Sequence, residues 1–149
     1  MRYAGYIGYN IADDDCMIVA LFNVSRAYGK KTTYLEILNL ALNKGWYVRG
    51  KGFKCKYLDE ALTALKLKAK LLSDDTCLRG VFKSVISNNK VYMFCRQSDW
   101  DDIPGHVMVA TKGKRGVRVH NAFLEHTGWK TLARSINSGK KHFMIEVTG

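Results

Sequence analysis

Cysteine, histidine and asparagine side chains occur in this chain in an order that nucleophilic thiol chemistry can use. Cys16 follows three aspartates and precedes an apolar run over residues 17–22. His106 opens a later apolar stretch, His120 ends another, and Asn121 follows it directly. A thiol nucleophile needs a base to take its proton, and the base needs a neighbour to hold its orientation. These residues therefore make acyl chemistry through Cys16 a hypothesis.

The residues around Cys16 predict that it lies in the first turn of a helix. Any of the three preceding aspartates can accept hydrogen bonds from free N–H groups of that turn, and Gly29 is a stop signal, which predicts a helix over residues 14–28. Apolar residues occupy nearly every face, so we expect a buried helix. The helix N-terminus favours the thiolate whereas the aspartates oppose it, so the sequence leaves the pKa of Cys16 open.

Helix signals fill the first half of the chain, and strand signals fill most of the second. The predicted helices span residues 14–28, 33–45, 57–67, 76–87 and 127–137. The predicted strands span residues 68–72, 91–95, 106–111, 117–120 and 142–147. We interpret residues 1–9 as a strand or an ordered arm and residues 46–53 as a loop. This segregation predicts an α+β fold, with N-terminal helices packed on a C-terminal antiparallel sheet in one domain over residues 1–149.

A predicted hairpin supplies the candidate base and its orienting neighbour. The start of the first strand of a hairpin lies beside the end of the second, which places His106 near Asn121. Side chains alternate along a strand, so His120 and Asn121 point to opposite faces and only one shares a face with His106. The Asn121 amide can then hold the His106 imidazole in one tautomer, and His120 is the competing base.

Composition and cysteine spacing bound the class of protein. No apolar run reaches the length of a membrane span, and the N-terminus lacks the apolar region of a signal peptide, so a cytoplasmic location is expected. The four cysteines show no Cys-x-x-Cys spacing. We therefore expect no disulfide, metal or cofactor, and we interpret the three cysteines other than Cys16, namely Cys55, Cys77 and Cys95, as packing residues.

The strong positive charge supports the main alternative, a non-enzymatic basic binding protein. Twenty-four basic and 13 acidic residues give a net charge of +11, which permits attraction to nucleic acid or an acidic protein. The basic clusters are Lys66, Lys68 and Lys70; Lys112, Lys114, Arg115 and Arg118; and Lys140 and Lys141. No Gly-rich phosphate loop or RNA-binding sheet signature accompanies them. A peptide or protein substrate is therefore favoured over nucleic acid, and the oligomeric state stays open.

The order of cysteine, histidine and asparagine, on a helix followed by a sheet, resembles the papain-like cysteine peptidases. The closest resemblance is to the family that removes double-glycine leader peptides from bacteriocins. That family has a glutamine six residues before the cysteine, an aspartate directly before it, and Tyr-Gly near the helix end. This sequence has Asn10, Asp15 and Tyr28-Gly29 at those positions. The family also has an acidic or amide residue about sixteen residues after the histidine, and here 15 positions separate His106 from Asn121.

This resemblance implies a papain-like fold and hydrolysis of a peptide or isopeptide bond. Cys16 would attack the carbonyl, and His106 would take its proton and pass it to the leaving group. Asn121 would orient His106, while the Cys16 N–H and the Asn10 side-chain amide would stabilise the oxyanion. The sequence departs from the family pattern at four positions, by Asn10 for glutamine, Met17 for glycine, Asn121 for aspartate and Ala122 for proline. An acyltransferase, a deamidase or an inactive relative therefore stay open as alternatives.

Overall fold

Helices pack against an antiparallel sheet in this α+β structure. The computed structural model describes residues 14–73, 91–97, 104–113, 116–120 and 142–149. The helices in these ranges are α1 (Cys16–Ala27), α2 (Tyr34–Lys44), a short 3-10 helix (Cys55–Tyr57) and α3 (Leu58–Ala64). The strands are β1 (Tyr47–Val48), β2 (Gly52–Phe53), β3 (Lys68–Ser73), β4 (Val91–Gln97), β5 (Pro104–Gly113), β6 (Gly116–His120) and β7 (His142–Thr148).

The larger sheet follows the helices along the chain. Its five described strands lie in the order β3-β7-β4-β5-β6, and every neighbouring pair is antiparallel. β1 and β2 form a separate antiparallel hairpin. The predicted segregation of helices and antiparallel sheet is thus confirmed, and the five strands expected from the sequence are β3 to β7. The predicted helices over residues 76–87 and 127–137 and the segment over residues 1–9 lie outside the described residues.

Helix α1 lies at the centre of the described core. All its residues from Cys16 to Ser25 are buried, as the apolar character on every face predicted. One side packs against β5 and β4, and another packs against α2. At its C-terminal end the Tyr28 hydroxyl donates a hydrogen bond to the carbonyl of Val147 on β7. These contacts fix the direction of α1 relative to the sheet.

Helix α2 begins and ends at the residues that the sequence predicts. The Thr33 hydroxyl accepts a hydrogen bond from the Glu36 N–H at 3.2 Å, and Gly45 closes the helix with a left-handed backbone at φ 74°. The helical spacing predicts an inward face of Leu35, Leu38, Ala41 and Leu42, and the structure differs at Leu35, which is 63% exposed. The buried face is centred on Ile37, Leu38 and Ala41, and Leu35, in the first turn, lies off that face.

The segment predicted as a loop over residues 46–53 contains the β1–β2 hairpin. Tyr47 pairs with Phe53, and both side chains are buried. Gly50 and Gly52 have φ of 81° and 115°, so the glycines read as loop signals form the turn and the start of the returning strand. The Trp46 indole N–H donates to the Glu60 carboxylate, which joins the end of α2 to α3.

Both faces of the central strands β4 and β5 of the larger sheet are buried. The face towards α1 includes Val91, Met93, Cys95, Val107, Val109 and Val147. The opposite face includes the buried residues Tyr92, Phe94, Met108, Ala110 and Met144. Strands that are covered on both faces have continuous apolar sequences rather than alternating ones, which explains why residues 91–95 and 107–110 contain no charged residue.

The predicted third helix is shorter than its sequence pattern. The pattern spans residues 57–67, whereas α3 is Leu58–Ala64 and is preceded by the 3-10 turn. Lys66 adopts a left-handed backbone with φ 59°, which ends the helical path and turns the chain into β3. Within the described part of the chain, no helix combines the length and the apolar character that crossing a membrane requires.

The N-cap of α2 provides a test of this local structure. Thr33→Ala removes the acceptor for the Glu36 N–H, so the free energy of unfolding should fall by about 1 kcal/mol. Thr32→Ala, one residue earlier, is the matched control and should change it by less than about 0.5 kcal/mol. Urea denaturation followed by circular dichroism measures both. Equal losses in the two variants would contradict the assigned cap.

Candidate active site

The Cys16 thiol lies at the junction of α1 and β5. Cys16 is the first residue of α1 and is 8% exposed. Its sulfur interacts with the backbone N–H of Val107 on β5 and with the N–H groups of Met17 and Cys16 in the first helical turn. The sequence predicted the helix start correctly, and the fold adds the strand N–H as a third donor. Three N–H groups around one sulfur form a setting in which developing negative charge can be stabilised.

Burial nevertheless dominates the ionisation of Cys16. The pKa of Cys16 is raised from the ordinary value of 9.0 to about 11, chiefly by desolvation, and the negative charge of Asp15 acts in the same direction. Three backbone N–H groups lower the pKa, but their effect does not outweigh that of burial. They belong to Val107, Met17 and Cys16. The resting side chain is therefore a neutral thiol near pH 7. The sequence left the direction of the pKa shift of Cys16 open, because the burial of Cys16 depends on residues that are far away in the chain.

Asp15 does not cap α1 with its side chain, contrary to one of the options from the sequence. It is the N-cap residue, but its carboxylate makes no cap hydrogen bond. The carboxylate instead accepts the Tyr34 hydroxyl at 2.6 Å, and Asp15 is fully buried. The first-turn N–H groups of Met17 and Cys16 consequently remain directed towards the Cys16 sulfur.

The neighbouring Asp14 holds the β1–β2 hairpin against the start of α1. Its carboxylate accepts the Tyr47 hydroxyl and, at 2.6 Å, the Gly50 N–H. Burial, followed by these carboxylate contacts, raises the pKa of both Tyr34 and Tyr47 well above the usual tyrosine range. The sequence analysis missed both tyrosines. No local signal in the sequence pairs them with the aspartates, because Tyr34 lies 19 positions from Asp15 and Tyr47 lies 33 positions from Asp14.

His106 lies beside the Cys16 site, at the start of β5. It is 3% exposed and immediately precedes Val107, whose N–H meets the Cys16 sulfur. Strand alternation puts His106 on the face opposite to that of Val107. The register changes here, because His106 pairs with Arg96 whereas the next pair is Gln97 with Pro104. The extra residue on β5 is a bulge, and bulges redirect neighbouring side chains at the margins of sheets.

His120, the competing base, is also buried, at 3% exposure, and lies on a different part of the sheet. It pairs with Val109 and therefore shares the face that packs against α1. Its Nε2 lies 3.2 Å from the Thr111 hydroxyl. Thr111 lies four residues beyond Val107 along β5, so this ring nitrogen is directed away from the strand end that contacts Cys16.

The structure thus brings Cys16 next to the backbone of residues 106–107. A base should lie near Cys16 along the strand and on the face towards α1, and each histidine meets one of these two requirements. His106 is nearer along the strand, and His120 is on the face towards α1. Asn10 and Asn121, the predicted oxyanion and orienting residues, lie outside the described residues. The assignments of base, orienter and oxyanion donor stay predictions.

The other described cysteines differ from Cys16 in their surroundings. Cys95 is buried in the core on β4 and Cys55 is half-buried in the 3-10 helix; neither of them, nor Cys16, is in a disulfide. Cys95 fits its predicted role in packing, whereas Cys77 lies outside the described residues. In the ranges that the structure covers, no group of three or more histidine, cysteine or carboxylate side chains is arranged to hold a metal ion.

Comparison with known proteins returned no match. No protein-family model, no curated protein and no solved structure matches the chain at a significant level.

The raised pKa of Cys16 predicts a loss of stability in alkali. Between about pH 9 and about pH 11 the unfolded chain releases the Cys16 proton while the folded chain retains it, so the free energy of unfolding falls with pH. The contribution amounts to at most about 3 kcal/mol. Cys16→Ser should weaken this pH dependence, because serine does not titrate in that range.

Urea denaturation under reducing conditions at several alkaline pH values measures the slope. Cys55→Ser is the matched control, since Cys55 is only half-buried. Tyrosines and Cys95 contribute equally to all variants, so the difference in slope between variants isolates Cys16. The same slope for Cys16→Ser and the unmodified protein would contradict the assignment.

Proposed function

We propose that this chain is a cysteine hydrolase that cleaves a peptide or isopeptide bond through Cys16. The observation that supports it most is the position of the Cys16 sulfur. It lies at the N-terminus of a buried helix and against the N–H of the residue that follows His106. A papain-like site needs this combination of helix start and histidine-bearing strand. The fold class and the order of the elements agree with the resemblance in the sequence.

In the proposed reaction the Cys16 sulfur attacks the carbonyl carbon of the scissile bond. His106 takes the thiol proton as the carbon–sulfur bond forms, and then gives it to the departing amine. Water, deprotonated by the same imidazole, releases the acid product from the thioester. The N–H of Cys16, with the Asn10 amide, would donate to the oxyanion. Asn121 would hold the imidazole in the required tautomer.

The neutral resting thiol determines when its proton moves. With a pKa raised to about 11, Cys16 is not a preformed thiolate. Proton transfer to the imidazole then accompanies attack on the substrate rather than preceding it. Transfer of the acyl group to an amine instead of water would use the same thioester, and product analysis distinguishes the two reactions.

We assign His106 rather than His120 as the base because of where the two rings can act. His106 directly precedes the Val107 N–H that meets the Cys16 sulfur, and it lies next to a bulge, a feature that can redirect neighbouring side chains. The His120 Nε2 lies 3.2 Å from the hydroxyl of Thr111, which is four residues beyond Val107 along β5. This choice gives opposite predictions for the two alanine variants.

Hydrolysis can be tested without a known substrate. A proteome-derived peptide mixture is incubated with the protein, and mass spectrometry identifies new peptide termini. Cys16→Ala should abolish the new termini, and Cys55→Ala should preserve them. His106→Ala should lower their rate of appearance about 100-fold or more, whereas His120→Ala should lower it less than about 5-fold.

A large loss in His120→Ala with a small loss in His106→Ala would transfer the role of base to His120. Cleavage that persists in Cys16→Ala would exclude a cysteine mechanism at this site. Absence of cleavage by the folded, unmodified protein across the mixture would count against hydrolysis of peptides.

A second candidate function, binding of nucleic acid, has one structural observation in its favour. Lys30 and Lys31 from the α1–α2 connection and Lys66 from the end of α3 line one groove of about 440 Å³. Lys68 and Lys70, which follow Lys66 on β3, are also exposed. The fold therefore brings Lys66, which belongs to one of the predicted basic clusters, close to Lys30 and Lys31, which are distant in sequence. Such a surface attracts phosphates.

Nucleic-acid binding by this groove should depend steeply on salt. Fluorescence anisotropy with a single-stranded and a duplex oligonucleotide should show affinity falling at least 10-fold between about 50 and 200 mM salt. Lys30→Glu combined with Lys66→Glu should weaken binding further, with no effect on the alkylation of Cys16. Lys44→Glu, on the C-terminal turn of α2, is the control. Absence of binding at low salt rejects this candidate.

A further inference from the structure

A buried carboxylate lies next to the candidate nucleophile, and this is the feature from which we draw a further inference. Asp15 precedes Cys16 directly, is fully buried, and accepts the Tyr34 hydroxyl at 2.6 Å. Its side chain does not cap the helix. Its negative charge therefore lies beside the thiol in a region with little water to screen it. An enzyme that needed a permanent thiolate would gain nothing from a carboxylate here.

Other charged and titratable groups surround the start of α1. From the elements packed there, these are Asp14, Tyr34, Tyr47, Arg49, Cys55, Cys95, His106 and, on the sheet face towards α1, His120. The carboxylate of Asp14 is only half-buried and binds the hairpin, and Arg49 is exposed, so solvent weakens the effect of both on the thiol. Tyr34 and Tyr47 are neutral hydroxyl donors, and Cys95 is a buried neutral thiol. Asp15 is thus the buried charge nearest to Cys16 among the described residues of these elements.

We propose that Asp15, held by Tyr34, is a positioning residue that keeps Cys16 in the thiol form in the resting protein. The carboxylate opposes an isolated thiolate at Cys16, but it favours a positive charge on a neighbouring imidazole. A thiolate formed together with an imidazolium therefore experiences a smaller net penalty than a thiolate formed alone. Asp15 in this way couples loss of the Cys16 proton to its capture by the base. The inference rests on the proposed role of Cys16 as nucleophile.

The pH dependence of Cys16 alkylation tests this role without any substrate. Iodoacetamide labelling of the Cys16 peptide is followed by mass spectrometry from about pH 7.5 to about pH 9.5, where the rate is proportional to the thiolate fraction. Asp15→Asn retains an oxygen that can accept the Tyr34 hydroxyl but removes the charge. It should shift the profile about 1 pH unit lower, which is about 10-fold faster labelling at each pH.

Asp14→Asn is the matched control, because it neutralises the adjacent carboxylate, which also accepts a tyrosine hydroxyl. Its shift should be less than a third of that in Asp15→Asn. No shift or an upward shift in Asp15→Asn overturns the inference, and so does an equal shift in Asp14→Asn, which would indicate a diffuse acidic field. Thermal melting establishes that each variant is folded.

Tyr34→Phe decides the question where Asp15→Asn does not fold. This variant keeps the Asp15 charge but removes its hydrogen-bond donor, so more of the charge acts on the thiol and the labelling profile should move to higher pH. An unchanged or lower profile overturns the inference. If the labelling profile of Asp15→Asn shifts but the unmodified protein cleaves no peptide, the proposed hydrolase is rejected and this role of Asp15 is retained. If the protein cleaves peptides but the profile does not shift, the hydrolase is retained and this role of Asp15 is rejected.

Discussion

The hydrogen bond between the buried Asp15 carboxylate and the Tyr34 hydroxyl is the constraint on which the candidate site depends. A buried carboxylate is costly unless it is hydrogen-bonded, so this bond fixes α2 close to the first turn of α1. Asp14 does the same for the β1–β2 hairpin through Tyr47 and Gly50. Since both carboxylates bind other elements, the N–H groups at the start of α1 are left to the Cys16 sulfur.

Much of the fold followed from local signals. Helix α1, the Thr33 cap and the Gly45 stop of α2, and the strands β3 to β7 depend on propensities within a few neighbouring residues, and the sequence predicted them. The β1–β2 hairpin was missed because each strand has only two residues and its glycines resemble loop signals. The exposed Leu35 was misassigned because the orientation of α2 is set by Tyr34 and by packing on α1, which a helical pattern alone does not contain.

The site itself was only partly predictable. A cysteine at a helix start was readable from the aspartates and the apolar run that flank it. The tyrosine partners were not, since 19 residues separate Tyr34 from Asp15 and 33 separate Tyr47 from Asp14. The two histidines could be compared only once the register was known. Pairing puts His120 on the α1 face and His106 on the other, whereas the Val107 N–H at the Cys16 sulfur brings Cys16 next to the backbone that follows His106.

Burial and backbone donors act on Cys16 in opposite directions, and the balance between them has a mechanistic consequence. Donors at a helix N-terminus would favour a thiolate in an open site, but here desolvation dominates and the Asp15 charge adds to it. In the proposed mechanism the Cys16 N–H would donate to the substrate oxygen as negative charge develops there. We expect a site of this kind to react slowly with small electrophiles at rest. In the proposed mechanism it becomes nucleophilic when an imidazole accepts the proton at the moment of attack.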